Sequence, residues 1–192
     1  MEWLNDIKEK FSKRRIRNLD RTKDYVRDFI DLDSAQKVGL ILNLNALSPE
    51  DLVLINEYLT GLKKRKKRVL VIEINFNKKS ESQFASSVDT IFINPAKLNW
   101  LDYPTPAIES QVRQHDLDIL MDFDHSIRMT SKYICSIARA KTRTGVHREG
   151  LESCYELMIH RDEDTGMKGM IKEFDYFLNM IDNGEKQKVK VS

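Results

Sequence analysis

Polar side chains that could bind a ligand follow two apolar segments of the chain, GLIL and LDILM. They are Asn43, Asn45 and Ser48 after the first segment, and Asp122, Asp124, His125 and Ser126 after the second. Carboxylates and amides of this kind, with or without magnesium, suit a phosphorylated metabolite or a nucleotide, and amides at the start of a helix attract anions even without glycine. These residues form the candidate ligand-binding site of a small enzyme or sensor.

The segment LMDFDHSI at residues 120–127 resembles the first motif of the haloacid dehalogenase phosphatases. In that family the first aspartate attacks phosphorus and the second acts as acid and base beside magnesium, roles that the resemblance implies for Asp122 and Asp124. The family's motif follows its first strand, whereas three predicted strands precede it here. The structural alternative is that Asp124 or Ser126 caps the next helix. We therefore assign no catalytic residue.

Other chemistries lack their sequence motifs. The seven glycines form neither GxGxxG nor GxxxxGK, and no serine or cysteine lies in a nucleophile elbow. Cys135 and Cys154 lie in apolar segments without CxxC spacing, so we expect buried thiols, and the four histidines show no ligand spacing. We accordingly predict no cofactor and no metal.

Lysine and arginine are clustered, although the net charge is only +2. The candidate nucleic-acid-binding residues are Lys13, Arg14, Arg15 and Arg17 near the N-terminus, and Lys63, Lys64, Arg65, Lys66, Lys67 and Arg68, which we call the 63–68 run. Phosphate contacts through them would weaken as salt rises. The main hypothesis is a non-catalytic protein that docks on RNA, a ribonucleoprotein or another acidic partner. The alternative is a set of solvated helix faces, with the run favoured partly by a helix dipole.

Alternating strands and helices must position these residues. The segments KVGLILNL, RVLVIEI, DTIFIN, LDILMDF and TRTGV predict buried strands, with YELMI as a sixth. Ser48, Pro49, Glu50 and Asp51 predict the start of a helix. The pattern predicts an α/β fold with a doubly wound, mostly parallel sheet of five to six strands, Rossmann-like. In the order 3-2-1-4-5, the Asn43 loop lies beside Asp122 at the reversal.

The composition suits one domain with appendages. We predict a basic amphipathic helical arm at residues 1–34, a Rossmann-like domain at 35–183 and a flexible basic tail at 184–192. The arm has an apolar stripe of Trp3, Leu4, Ile7 and Phe11 that the domain, or a second copy in a homo-oligomer, would cover. No apolar run approaches the ~20 residues of a membrane span, and a signal peptide is lacking, so we expect a cytoplasmic protein.

Residues 37–181 resemble an uncharacterised bacterial family of small Rossmann-like proteins, a domain of unknown function. The resemblance rests on GLILNL, LDILMDF, SKYICSIARAKTRTGV and the closing amphipathic helix. The central stretch is also similar to the N-terminal half of heptosyltransferase-type glycosyltransferases, with a strand ending in Asp, a helix, and a basic strand with Gly. The second domain, where those enzymes hold the nucleotide sugar, is lacking, so the resemblance implies a fold and no activity.

Overall fold

Six parallel strands form one sheet in the computed structural model, which describes residues 13–16, 18, 28–126, 128–160 and 165–180. The strands are β1 (Lys37–Asn43), β2 (Arg68–Ile74), β3 (Asp89–Ile93), β4 (Asp116–Asp122), β5 (Arg139–Val146) and β6 (Leu157–Ile159). Their order is β3-β2-β1-β4-β5-β6, and every neighbouring pair is parallel. The Rossmann-like sheet predicted from the sequence is therefore confirmed, including the reversal at β1 and β4.

Helices cover both faces of this sheet. They are α1 (Pro49–Lys64), α2 (Pro106–Arg113), α3 (Thr130–Ile137) and α4 (Met167–Met180). The apolar sides of α1 and α4 are buried in one core cluster, and those of α2 and α3 in another. Successive strand residues point to opposite faces, so Ile41 belongs to the α2 and α3 side while Leu40 and Leu42 belong to the α1 and α4 side.

Helix α1 begins where the sequence predicts. The Ser48 hydroxyl accepts a hydrogen bond from the N–H of Asp51, and the Asp51 carboxylate accepts one from the N–H of Ser48. This capping box, with Pro49 in the first turn, satisfies amides that the helix leaves unpaired. The helix ends before Lys66, whose φ of 59° is left-handed and breaks the helical path into β2.

A buried glutamate organises the connection between β2 and β3, where no helix forms. Glu73 is fully buried, and its carboxylate accepts hydrogen bonds from the Ser82 hydroxyl and from the N–H groups of Gln83 and Phe84. Burying a charge is unfavourable unless hydrogen bonds replace the lost water, and here three do so. The loop is therefore anchored to the sheet, and Phe84 is held in the core.

The described part of the predicted arm packs on the domain. Residues 13–16 are helical, and the Ile16 side chain is fully buried among residues of α2 and α3. The Arg15 guanidinium lies over the rings of Tyr103 and Tyr133, at 5.2 and 5.4 Å from their centroids. The apolar stripe at Trp3 to Phe11, Arg17 and the predicted tail at 184–192 lie outside the described residues. No helix in the described ranges has the length and apolar character needed to cross a bilayer.

Candidate functional site

The crevice predicted between β1 and β4 brings together three of its seven predicted residues, Asn43, Asp124 and Ser126. The Asn43 amide donates hydrogen bonds to Oδ1 of Asp124 at 3.2 Å and to the Ser126 hydroxyl at 3.3 Å. This proximity follows from the parallel register, which pairs Ile41 with Asp122 and so carries both strand ends to the same edge. We call this group the carboxyl-edge crevice.

Asp122 lies beneath the crevice rather than in it. Its carboxylate is fully buried; Oδ2 accepts a hydrogen bond from the Tyr155 hydroxyl at 2.5 Å and lies 3.3 Å from Nζ of Lys132. Oδ1 accepts a hydrogen bond from the N–H of Asp124. A carboxylate enclosed in this way lacks the access to substrate that a phosphatase nucleophile needs. The haloacid dehalogenase interpretation of Asp122 therefore finds no support in its surroundings.

Lys132 and Tyr155 were not anticipated from the sequence. Lys132 is 2% exposed on α3, a helix whose eight residues are all buried, and its ammonium also donates to the Asp124 carbonyl and the Ser131 hydroxyl. The only signal in the sequence was a lysine among the small and apolar residues of SKYICS. Tyr155 follows a loop whose path the sequence does not specify.

The two aspartates have opposite pKa shifts. Burial raises the pKa of Asp122, and the charge of Lys132 offsets part of that effect. Burial also acts to raise the pKa of Asp124, but Lys132 and hydrogen bonds from Ser126 and Asn43 outweigh it and leave the pKa below its usual value. Asp124 is thus the carboxylate that stays ionised at the crevice.

Neither Asp124 nor Ser126 caps the next helix, so that alternative is wrong. Oδ1 of Asp124 accepts from the N–H of Ser126, and the Ser126 hydroxyl accepts from the N–H of Arg128. Helix α3 starts after Met129 without a side-chain cap. Oδ2 of Asp124 is buried and receives no hydrogen bond from the residues that the structure describes, which leaves one carboxylate oxygen at the crevice unsatisfied by them.

The remaining predicted ligand residues have structural partners. The Asn45 side chain accepts a hydrogen bond from the N–H of Phe76, and the Ser48 hydroxyl is used in the capping box. The His125 carbonyl accepts a hydrogen bond from the Arg148 guanidinium. Because Glu50 and Asp51 occupy the first turn of α1, its N-terminus is less suited to an anion than the sequence motif alone suggested.

The 63–68 run lies at the opposite edge of the sheet, and three of its six side chains form hydrogen bonds or ion pairs within the domain. The Lys63 ammonium donates to the Ser87 carbonyl, Arg65 pairs with Asp33 at 2.8 Å, and Lys67 donates to the carbonyls of Asp33 and Ala35. Lys64, Lys66 and Arg68 are exposed. Within the described ranges, no side-chain partner lies against these three.

The described cations of the arm, Lys13, Arg14 and Arg15, do not form one continuous basic surface with the 63–68 run. The Lys13 side chain lies near Gly150, in the loop after β5, and Arg15 stacks on Tyr103 and Tyr133 as described above. Arg14 is exposed.

A third group of cations, Arg139, Lys141 and Arg143 on β5, is engaged in ion pairs. Arg143 is 1% exposed and forms a two-pronged ion pair with Glu156, while Arg139 pairs with Asp116 and Lys141 with Asp118.

A polar cleft of about 250 Å³ opens at the amino ends of the strands, which we call the amino-edge cleft. Lys37 and Arg68 line it with His115, Asp89 and Asp116. Sequence reasoning missed this site because its residues come from four separate segments. Only the alignment of β1, β2, β3 and β4 brings them to one place.

Fold and site together define a Rossmann-like α/β domain with polar groups at both edges of its sheet. A family model matches residues 8–181, so the chain belongs to a family of unknown function, DUF6913. The match starts within the predicted arm. No curated protein sequence matches the chain.

Solved glycosyltransferases share the fold. The chain is similar to E. coli heptosyltransferase WaaC with ADP, at 14% identity and a TM-score of 0.52, over 76% of this chain and 48% of that one. A glycosyl transferase family 9 protein from Veillonella parvula DSM 2008 matches at 11% identity and a TM-score of 0.49, over 82% and 44% of the two chains. The chain thus spans about half the length of these structures. The expected resemblance to a family of unknown function is confirmed, and the resemblance to heptosyltransferase-type glycosyltransferases is confirmed at the level of fold.

Proposed function

We propose that this chain is a non-catalytic binding protein that receives an acidic segment of another protein at the amino-edge cleft. The observation that carries the proposal is a pair of exposed cations in the cleft, Lys37 and Arg68, whose side chains make no hydrogen bond or ion pair with any described residue. Lys66 and Arg113, also exposed, lie within two residues of lining residues in the chain. Asp89 is the opposing charge in the cleft, since Asp116 pairs with Arg139.

The geometry favours carboxylates over RNA. Single-stranded nucleic acid is usually held by aromatic side chains on which bases stack, and no described Phe, Tyr or Trp lines the cleft. Lysine and arginine side chains suit carboxylates as well as phosphates. Lys37 and Arg68 line a space of about 250 Å³, enough for a few side chains of a partner.

The test is fluorescence anisotropy of a labelled decaglutamate peptide titrated with the full chain at low and high salt. We expect Lys37→Glu/Arg68→Glu to weaken binding about tenfold, since exposed ion pairs contribute roughly 0.2–1 kcal/mol each and about 1.4 kcal/mol is a factor of ten. The control, Lys78→Glu/Lys79→Glu, makes the same charge change at exposed residues in the loop after β2. Equal loss of peptide affinity in both variants would contradict a defined site. If a ten-nucleotide RNA binds more tightly than the peptide, the partner is RNA and not an acidic protein.

A second candidate function rests on the unsatisfied Oδ2 of Asp124. We propose that a phosphorylated metabolite or nucleotide supplies the missing donor at the carboxyl-edge crevice, through a hydroxyl group or a magnesium ion that bridges to phosphate. ADP, present in the similar heptosyltransferase structure, is a suitable probe. Thermal unfolding with ADP, with and without Mg²⁺, should give a rise in Tm that Asp124→Asn abolishes and the exposed control Asp33→Asn retains. An unchanged Tm in the wild type would reject this candidate.

A further inference from the structure

A groove of about 330 Å³ runs between α1 and α4, on the face of the sheet away from α2 and α3. Its apolar walls are formed by Leu54 and Leu62 of α1 and Ile171 of α4. Tyr58 and Asp175 link the two helices there, with a hydrogen bond of 2.6 Å from the tyrosine hydroxyl to Oδ1 of the carboxylate. The volume lies at the small end of the range for ligand pockets, ~300–1,000 Å³.

The wall of the groove contains a glycine, Gly61, where the groove is open. A Cβ built on Gly61 would meet no atom within 4 Å, so the space above the helix is empty at this point. Glycine is the least favourable residue in a helix interior apart from proline. Its presence in the fourth turn of α1 leaves room for another molecule to approach the helix backbone.

The charges around the groove are mainly positive. Arg65, Lys168 and Lys172 line it, opposed by Glu57 and by Asp175, whose carboxylate accepts the Tyr58 hydrogen bond. Arg65 is shared with Asp33, whereas Lys168 and Lys172 are exposed and have no partner among the described residues.

Tyr58 and Asp175 within the groove are hydrogen-bonded to each other. Burial and the charge of Asp175 raise the pKa of Tyr58, so the tyrosine keeps its proton and remains the donor. Burial raises the pKa of Asp175, with the Tyr58 hydrogen bond acting against it. The groove therefore presents an apolar interior with free ammonium groups at its rim.

We propose that this groove binds a small anionic amphiphile, a soluble carboxylate whose aliphatic or aromatic body packs between Leu54, Leu62 and Ile171. The head group lies at Lys168 and Lys172, where its charge is complementary. This site is separate from the amino-edge cleft and from the carboxyl-edge crevice, so its test does not depend on the proposed function.

The probe for the test is 1-anilinonaphthalene-8-sulfonate, an aromatic anion whose fluorescence rises in apolar sites, displaced by decanoate. We expect saturable binding to the full chain and displacement by decanoate. Gly61→Met fills the groove without a steric clash and should weaken binding at least tenfold with an unchanged or higher Tm. Lys168→Gln/Lys172→Gln should weaken binding severalfold and reduce its dependence on salt.

Two matched controls define the result. Thr60→Met adds the same side chain at an exposed neighbouring position outside the groove, and Lys78→Gln/Lys79→Gln removes two exposed charges elsewhere. Both should bind like the wild type. The proposal is overturned if Gly61→Met binds the probe as well as the wild type does, if decanoate fails to displace the probe, or if vesicles of phosphatidylglycerol compete while decanoate does not.

Discussion

The ring of Tyr155 lies directly on the backbone of Gly145 and from there reaches Asp122. A Cβ at residue 145 would stand 2.4 Å from two ring atoms, closer than real contacts allow. The glycine in β5 therefore makes room for the phenol, whose hydroxyl donates to the buried carboxylate at 2.5 Å. Gly145 thus leaves room for the hydrogen bond from Tyr155 to the buried carboxylate of Asp122 on the neighbouring strand.

Gly145→Ala should destabilise the protein. The added methyl group must displace the Tyr155 ring, and overpacking of a well-packed site typically costs ~1–3 kcal/mol. Urea unfolding measures the change in the free energy of unfolding. Gly166→Ala is the control, because a Cβ there meets nothing within 4 Å. Equal stability of the two variants would show that Tyr155 does not depend on Gly145.

Lys132→Met should destabilise the fold far more than Arg65→Met. Lys132 forms an ion pair with Asp122, and Arg65 forms one with Asp33. The first pair is buried, whereas the side chains of Arg65 and Asp33 are 36% and 65% exposed. Removing one partner of a buried pair costs ~3–5 kcal/mol, while an exposed pair contributes ~0–1 kcal/mol. Chemical denaturation of both variants tests this, and similar losses would contradict the assigned burial.

Asp118→Asn should reduce stability at neutral pH and not in acid. Burial acts to raise the pKa of Asp118, but hydrogen bonds from Lys141 and from the N–H groups of Lys37 and Gln36 lower it below 3.8. A lowered pKa in the folded state contributes stability above the unfolded pKa and loses it as pH falls through the folded value. Wild type and variant should therefore differ in urea unfolding at neutral pH and converge in acid.

The control for this prediction is Thr60→Ala, at an exposed residue without a titratable side chain. Its difference from the wild type should not change with pH over the same range. If Asp118→Asn behaves like Thr60→Ala, the hydrogen bonds to Asp118 do not favour its ionised form.

Ile16→Ala should destabilise the domain although residue 16 lies in the predicted arm. The Ile16 side chain is fully buried, and truncating such a residue to alanine costs ~2–5 kcal/mol. Val53→Ala, at 58% exposure on α1, should change stability by less than about 0.5 kcal/mol. Thermal and urea unfolding provide the measurement. A stable Ile16→Ala variant would instead favour an arm that is detached from the domain.

Removal of residues 1–30 tests the oligomer hypothesis for the arm. If the arm packs on its own domain, the truncated protein should lose stability and stay in the same oligomeric state. A change of oligomeric state in sedimentation, with the fold retained, would support association through the arm.

Local patterns in the sequence were sufficient to predict the strands and the start of α1, whereas the strand order 3-2-1-4-5 is an assumption of the doubly wound fold. Apolar runs such as RVLVIEI reflect burial on two faces, and the cap at Ser48 is a local interaction; both depend on residues that are neighbours in the chain. The prediction that Asn43 meets the acidic loop followed from the sheet order alone, since parallel strands end at one edge.

Which charges are paired depends on the tertiary structure. Asp122 could not be recognised as enclosed, because Lys132 and Tyr155 come from later segments. The ion pair of the buried Arg143 with Glu156 likewise joins two segments that no local pattern relates. The amino-edge cleft and the groove at Gly61 also arise from segments far apart in the chain. Burial and ion pairing depend on distances across the fold, which local sequence patterns do not encode.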